Sequence, residues 1–198
     1  MPRFIEPVTL RGEHVSVEPL AREHVAALRD AANDGELWRL WYTSVPSPEG
    51  VEAYVETALS WRDGRDAMPF VVRENASGHV VGCTRFCNVE PAHRRLELGY
   101  TWYAKHVQRS PVNTECKLLL LGHAFEALQC IAVELRTNWF NFASRAAIAR
   151  LGARQDGVLR NHQITPDGLY RDTVVFSILD SEWLPVKRNL RYMLDRPR

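Results

Sequence analysis

The sequence predicts an α/β (α+β) fold, with helices on both faces of a mixed, mostly antiparallel sheet of about seven strands. The 198 residues, 45% hydrophobic and 25% charged, fit a soluble globular chain that is long enough to bury a sizeable core. The predicted elements follow in the order strand, two helices, three antiparallel strands, helix, strand, helix and hairpin. We expect one domain over residues 1–198, with a C-terminal helical extension at about 180–198.

The first third of the chain predicts one strand and two helices. Residues 15–19, VSVEP, alternate in polarity and end at a proline, as a short strand does. Residues 21–32 carry apolar side chains at helical spacing, and the Asn-Asp-Gly that follows stops the helix. The second helix opens at Ser47-Pro48, because proline is favoured in the first turn.

Three antiparallel strands follow at residues 68–74, 79–88 and 95–102, the first two joined by a turn at 75–78. The third strand reads RLELGYTW. Simple alternation places its side chains on two faces. The first face holds Leu96, Leu98, Tyr100 and Trp102, and the second holds Glu97, Gly99 and Thr101.

The rest of the chain predicts a leucine-rich helix, a fifth strand at 132–137, a helix at 142–151 and a closing hairpin. Asn113 or Thr114 is expected to cap the leucine-rich helix. Asn141 is expected to cap the next one, with Gly152 as its stop. The hairpin strands, 155–161 and 172–179, flank a Pro-Asp-Gly turn. A final helix starts at about residue 180.

Composition and charge give no argument for several classes of partner. The formal net charge of +1 gives no argument for binding nucleic acid or a membrane surface. No apolar run reaches the roughly 18 residues of a membrane-spanning helix. The start, MPRFIEP, lacks the apolar core of a signal peptide. We therefore expect a cytoplasmic protein without nucleic-acid or membrane partners.

The cysteines predict buried thiols. Cys83 and Cys87 lie on one predicted strand about 13 Å apart, too far for a disulfide. With His79 they share one strand face, but this spacing spreads them beyond a tetrahedral metal shell. We expect no metal site and interpret both cysteines as small buried side chains.

The turn at residues 108–113, QRSPVN, is a candidate anion site. The first amides of a helix lack carbonyl partners, and the helix dipole is positive there, so a phosphate can bind them. Gln108, Arg109 and Ser110 add donors and a positive charge. Many helices with such a start bind nothing, so the alternative is a simple connector.

Several strings in their order resemble the GNAT acyl-CoA N-acyltransferases, in the branch that includes ribosomal-protein N-terminal acetyltransferases. They are LELGYTW, QRSPVN, ELRTNWFNFASRAAIARLGA and the closing hairpin, and they span nearly the whole chain. In that superfamily a Gln/Arg-x-x-Gly-x-Gly/Ala turn holds the pyrophosphate of coenzyme A. Gln108 matches this turn, whereas Pro111 and Asn113 stand at the glycine positions, and proline donates no amide.

The resemblance implies a GNAT fold, splayed between the fourth and fifth strands so that the pantetheine arm lies in the gap. It implies acetyl transfer from acetyl-CoA, with no metal, to a protein N-terminus, a small amine or an amino-acid-like acceptor. It also implies a homodimer. The implied cofactor-binding residues are Trp102, Tyr103, Val107, Gln108, Arg109, Ser110, Val112, Asn113, Thr114, Asn141 and Ser144.

Two residues are catalytic candidates. Glu97 is the one acid among the apolar residues of its strand, which suits a general base; alternatively it is a surface carboxylate or pairs with Arg94 or Arg95. The tyrosine that serves as acid in much of the superfamily is replaced by Ile148. Ser144 matches a serine of the N-terminal acetyltransferase branch; alternatively its hydroxyl bonds only the backbone.

The acceptor side is less defined. Trp38, Trp41, Tyr42 and Trp61 lie near the first two helices, where they either border the acceptor or belong to the core. Two other functions stay open at this point. One is a non-catalytic acyl-CoA-binding module, and the other is a structural protein that associates with itself.

Overall fold

The computed structural model describes residues 4–64 and 67–196. The outermost parts of the predicted domain and C-terminal extension, residues 1–3 and 197–198, lie outside this range. The described residues form five α-helices around one eight-stranded sheet. The helices are α1 Val25–Asn33, α2 Val51–Gly64, α3 Pro111–Gly122, α4 Phe142–Leu151 and α5 Trp183–Asp195.

The sheet has the strand order β1-β2-β3-β4-β5-β6-β8-β7. Its strands are β1 Leu10–Arg11, β2 Val15–Pro19, β3 Met68–Glu74, β4 Val80–Glu90, β5 Arg95–Tyr103, β6 Ala132–Asn138, β7 Arg154–Ile164 and β8 Tyr170–Leu179. All neighbours are antiparallel except β5 and β6, which are parallel. The predicted fold class is therefore confirmed, and the additional strand, β1, is only two residues long.

The helices cover both faces of the sheet. On β5, Trp102 packs edge-on against Tyr54 of α2, whereas the preceding Thr101 accepts a hydrogen bond from Lys117 of α3. Because successive strand residues point to opposite faces, α2 and α3 lie on opposite sides. The α3 face is largely apolar, with Phe70 and Phe86 in a T-shaped contact at 5.5 Å.

The predicted splay lies between β5 and β6. The two strands pair only from Arg95 opposite Ala132 to Glu97 opposite Glu134. Beyond these residues β5 keeps β4 as its neighbour and β6 keeps β8, but among the described residues no strand lies between them. The middle of the sheet therefore opens beside the second half of β5.

A bulge in β5 corrects the predicted alternation. Gly99 pairs with Arg85 and Trp102 with Cys83, so two residues of β5 stand opposite one residue of β4. Tyr100 takes up the extra length in a left-handed conformation, with φ of 53°. The expectation that Tyr100 and Trp102 lie opposite Glu97 is therefore wrong, because the bulge turns both side chains to the α2 face that Glu97 also occupies.

Candidate active site

Glu97 lies where β5 and β6 part, on the α2 face. The residue is only 7% exposed, which excludes the alternative of a surface carboxylate. The missing side chain of Gly99 makes room for it, since a Cβ there would lie 2.7 Å from Glu97 Oε1. The Glu-x-Gly pattern of this strand thus has a steric reason.

Few groups stabilise the negative charge of Glu97. Asn88, held at φ 47°, donates from Nδ2 to Glu97 Oε2 at 2.7 Å. Arg136 Nε lies 3.5 Å from the same oxygen, so the ion pair is not with Arg94 or Arg95, as the alternative had it. Burial raises the pKa of Glu97, and Arg136 and Asn88 oppose that shift only in part. Such a carboxylate is a stronger proton acceptor than an exposed glutamate.

Arg85 is a site residue that sequence reasoning missed. It is 2% exposed, and its guanidinium carbon lies 4.2 Å from the ring centre of Tyr100, 4.9 Å from that of Tyr54 and 5.1 Å from that of Trp61. Cation–π contacts therefore hold a buried charge on the α2 face near Glu97. A lone arginine within the apolar string VVGCTRFC was the available signal.

The start of α3 differs from the prediction in its cap. Ser110, not Asn113 or Thr114, is the N-cap: its Oγ accepts from Val112 N at 3.2 Å and donates to Val107 O at 2.6 Å. Ser110 N donates to Val107 O, and Pro111 has no N–H. Of the four first-turn amides without a helical carbonyl partner, Asn113 is therefore the one left for an anion.

The rest of this turn lies at the end of β5. Trp102 and Tyr103 pair with Cys83 and Gly82 of β4, so their strand continues past the bulge to the turn. The side chain of Val107 is buried. Gln108 donates from Nε2 to Tyr103 O at 3.4 Å and is otherwise exposed, as is Arg109 at φ 61°.

Two buried charged residues of α3 were also missed. Glu115 accepts hydrogen bonds from the backbone N–H of Glu13, His14 and Val15 at 2.9, 2.7 and 2.8 Å. Lys117 donates to Thr101 Oγ1 at 2.7 Å, and burial lowers its pKa to about 8. These contacts fix α3 against the β1–β2 turn and the bulge of β5.

Asn141 and Ser144 lie at the start of α4, after β6. The predicted cap is confirmed: Asn141 Oδ1 accepts from Ser144 N at 3.0 Å, and Gly152 ends the helix at φ 106°. The hydroxyl of Ser144 makes no hydrogen bond to any described residue, in contrast to the alternative that it bonds the backbone. Ile148 is buried one turn further along.

The aromatic residues near α1 and α2 have different environments. Trp41 is 61% exposed and contacts Phe140, beside Asn141, at 5.3 Å. Trp61 covers Tyr100 at 5.5 Å. The contact of Trp41 with Phe140 brings the segment between α1 and α2 close to the start of α4.

The prediction of buried thiols is confirmed, because all four cysteines are buried and free. Within residues 4–64 and 67–196, no cluster of three histidine, cysteine, aspartate or glutamate side chains has a metal-binding arrangement. In the same range, no helix is long and apolar enough to cross a bilayer.

Comparisons with known proteins agree with this geometry. Residues 14–154 match the family model of the acetyltransferase (GNAT) domain. The chain is 28% identical, over 86% of its own length and 94% of the relative's, to the "Putative ribosomal N-acetyltransferase YdaF" of Bacillus subtilis (strain 168).

Solved structures have the same fold. A GCN5-related N-acetyltransferase from Brucella melitensis is 29% identical with a TM-score of 0.85, over 96% of this chain and 86% of that one. RimJ of Mycobacterium smegmatis, in complex with CoA-disulfide, has a TM-score of 0.77 at 22% identity, over 94% of this chain and 95% of that one.

Proposed function

Because the chain belongs to the GNAT acetyltransferase family, we propose that it transfers acetyl from acetyl-CoA directly to a primary amine, in a ternary complex. The observation that carries this proposal is the buried Glu97 carboxylate at the point where β5 and β6 part. A gap for an extended cofactor arm and a group that accepts a proton thus lie side by side.

The residues around the gap fit coenzyme A. In the described part of the chain, no strand pairs with the second half of β5 on the gap side, so backbone groups near Trp102, Tyr103 and Val107 are suited to bond a pantetheine arm. At the start of α3, the Asn113 amide and the positive end of the helix suit a pyrophosphate, with Gln108 and Arg109 beside them. The proposed cofactor site also includes Ser110, Val112 and Thr114, which belong to the same turn. Asn141 caps α4 with its oxygen, which leaves its amide NH₂ for the cofactor.

Glu97 is the proposed general base. The acceptor amine must be neutral to attack the thioester that acetyl-CoA supplies, so a proton has to leave it, directly or through one water. The raised pKa of Glu97 makes its carboxylate a stronger proton acceptor than an exposed glutamate. Asn88 and Arg136 hold this carboxylate in place.

Ser144 is the proposed acid for the leaving thiolate. Its hydroxyl is half-buried and makes no hydrogen bond within the described chain, so it is available to a group in the gap. Buried Ile148 cannot supply a proton. A cytoplasmic location and a homodimer are part of the proposal through the family resemblance alone.

Calorimetry with acetyl-CoA, followed by thiol release with a panel of amines, tests the function. We expect binding, and release that depends on the amine. Ser110→Glu and Asn113→Glu should weaken binding by charge repulsion, whereas Asn189→Glu on α5 serves as a control. No binding at millimolar acetyl-CoA would exclude every CoA-dependent function. Binding without release from any amine would favour the non-catalytic acyl-CoA-binding module.

A further inference from the structure

Two arginines on the α2 face, Arg85 and Arg171, have no acidic partner within residues 4–64 and 67–196. Among the described residues, no carboxylate lies within ion-pair distance of Arg85 or Arg171. Arg171 Nε is buried without a hydrogen-bond partner in that part of the chain. Burial lowers the pKa of Arg171, and Tyr100 and Glu97 lie near enough to oppose the shift. Arg85 lies 4.2 Å from the ring centre of Tyr100, and the register of β8 with β6 places Arg171 on the same face of the sheet as Glu97.

On the α2 face around Glu97, positively charged side chains outnumber negatively charged ones. Arg136 is already engaged with Glu134, to which it donates a hydrogen bond, and with Glu97. Glu97 and Glu134 are thus both paired with Arg136. Among the described residues, no carboxylate is left to compensate Arg85 or Arg171. A buried guanidinium without an anion is unfavourable, and a carboxylate of a bound ligand would correct it.

The geometry points to a carboxylate-binding site at Arg171, reinforced by Arg85, so that the acceptor is a small amine bearing a carboxylate, of the free α-amino acid type. This inference rests on the proposed acetyl transfer. The planar fork of arginine matches a carboxylate. In an α-amino acid, amine and carboxylate share one carbon, so a carboxylate at Arg171 brings the amine towards Glu97. A protein N-terminus has an uncharged amide at that carbon instead.

Matched acceptors test the site. L-phenylalanine and L-methionine are compared with L-phenylalaninamide and L-methioninamide, and with a short peptide that begins with the same residue, by kcat/KM at saturating acetyl-CoA. The ratio of kcat/KM for the amino acid to kcat/KM for its amide should fall about tenfold or more in Arg171→Gln. Arg171→Lys should restore part of this ratio. Arg154→Gln, an exposed arginine on the same hairpin, should leave the ratio unchanged. The amines of the amino acid and of its amide differ in basicity, but this difference is the same for every variant and therefore cancels when the ratio is compared between variants.

The outcomes separate this inference from the proposed function. Release with amides or peptides that exceeds release with amino acids, or a ratio unchanged by Arg171→Gln in a folded variant, would overturn the carboxylate site and leave the transferase intact. If acetyl-CoA binds but no amine is acetylated, the proposed function fails. Calorimetry of L-phenylalanine with the CoA-saturated protein then decides: binding that Arg171→Gln weakens supports the site, and no binding overturns it.

Discussion

Two buried carboxylates, one on each side of the sheet, differ in the number of hydrogen-bond donors around them. Glu97 and Glu115 are 7% and 6% exposed. Glu115 accepts three backbone N–H bonds, whereas Glu97 accepts one bond from Asn88 and has Arg136 at 3.5 Å. Depth of burial is thus a poor guide to role. The number of donors distinguishes a buried carboxylate that anchors backbone amides from one with few donors to its negative charge.

The largest expected effect is on turnover in Glu97→Gln. Removing a general base should lower kcat by a factor of about 10² or more. The loss should be greatest at pH values where the acceptor is largely protonated while Glu97 is still ionised, and it should shrink as pH rises and the acceptor becomes neutral. Steady-state rates across a pH series measure it, with Glu90→Gln at the exposed end of β4 as the control. A pH–rate profile that matches the wild type would exclude Glu97 as the base.

Glu115→Gln should affect stability rather than chemistry. Its amide would direct a donor at backbone N–H groups that need acceptors, so the free energy of unfolding should fall by about 3 kcal/mol. Urea denaturation measures this change, and Glu97→Gln serves as the matched control because it replaces the other buried glutamate. Equal losses in both variants would contradict the distinction between the two residues.

Gly99→Ala tests whether the position of the Glu97 carboxylate matters. The new Cβ would lie 2.7 Å from Oε1, so the carboxylate must move. Since it is the end of a flexible side chain, stability should change by less than about 1 kcal/mol while kcat falls about tenfold. Gly157→Ala is the control, because nothing lies within 4 Å of its new Cβ. Unchanged kcat would show that the exact position of the carboxylate is unimportant.

The smallest effect is on the pH dependence of stability. Glu97 has a raised pKa in the folded protein, so the stability it contributes is present below its unfolded pKa and is lost as pH rises through the folded pKa. Glu97→Gln lacks this loss. Its stability relative to the wild type should therefore increase with pH above the ordinary glutamate range, as measured by denaturation at several pH values. Parallel curves would argue against a raised pKa.

Local patterns in the sequence predicted most of the fold. Alternation and helical spacing identified the elements, and the cap of α4 at Asn141 was predicted correctly. The wrong cap at α3 has a local cause, because Ser110 and Asn113 are both good caps. Pro111 was the deciding signal, since proline favours the first helical position and so places the cap at the residue before it.

The site was less predictable because it depends on pairing between distant segments. The bulge at Tyr100 exists only through the register with β4, and no feature of LELGYTW reveals it. Arg85 and Arg171 come from β4 and β8, and their position on one face of the sheet follows from the strand register. Glu115 bonds amides that are 100 to 102 positions earlier in the chain.

The splay between β5 and β6 has a consequence for solubility. A strand without a neighbour is a template for another extended chain, and here two such edges lie inside the sheet rather than at its rim. Any extended segment of a second molecule can compete for them. A cofactor arm bound as proposed above would cover both edges and block that competition.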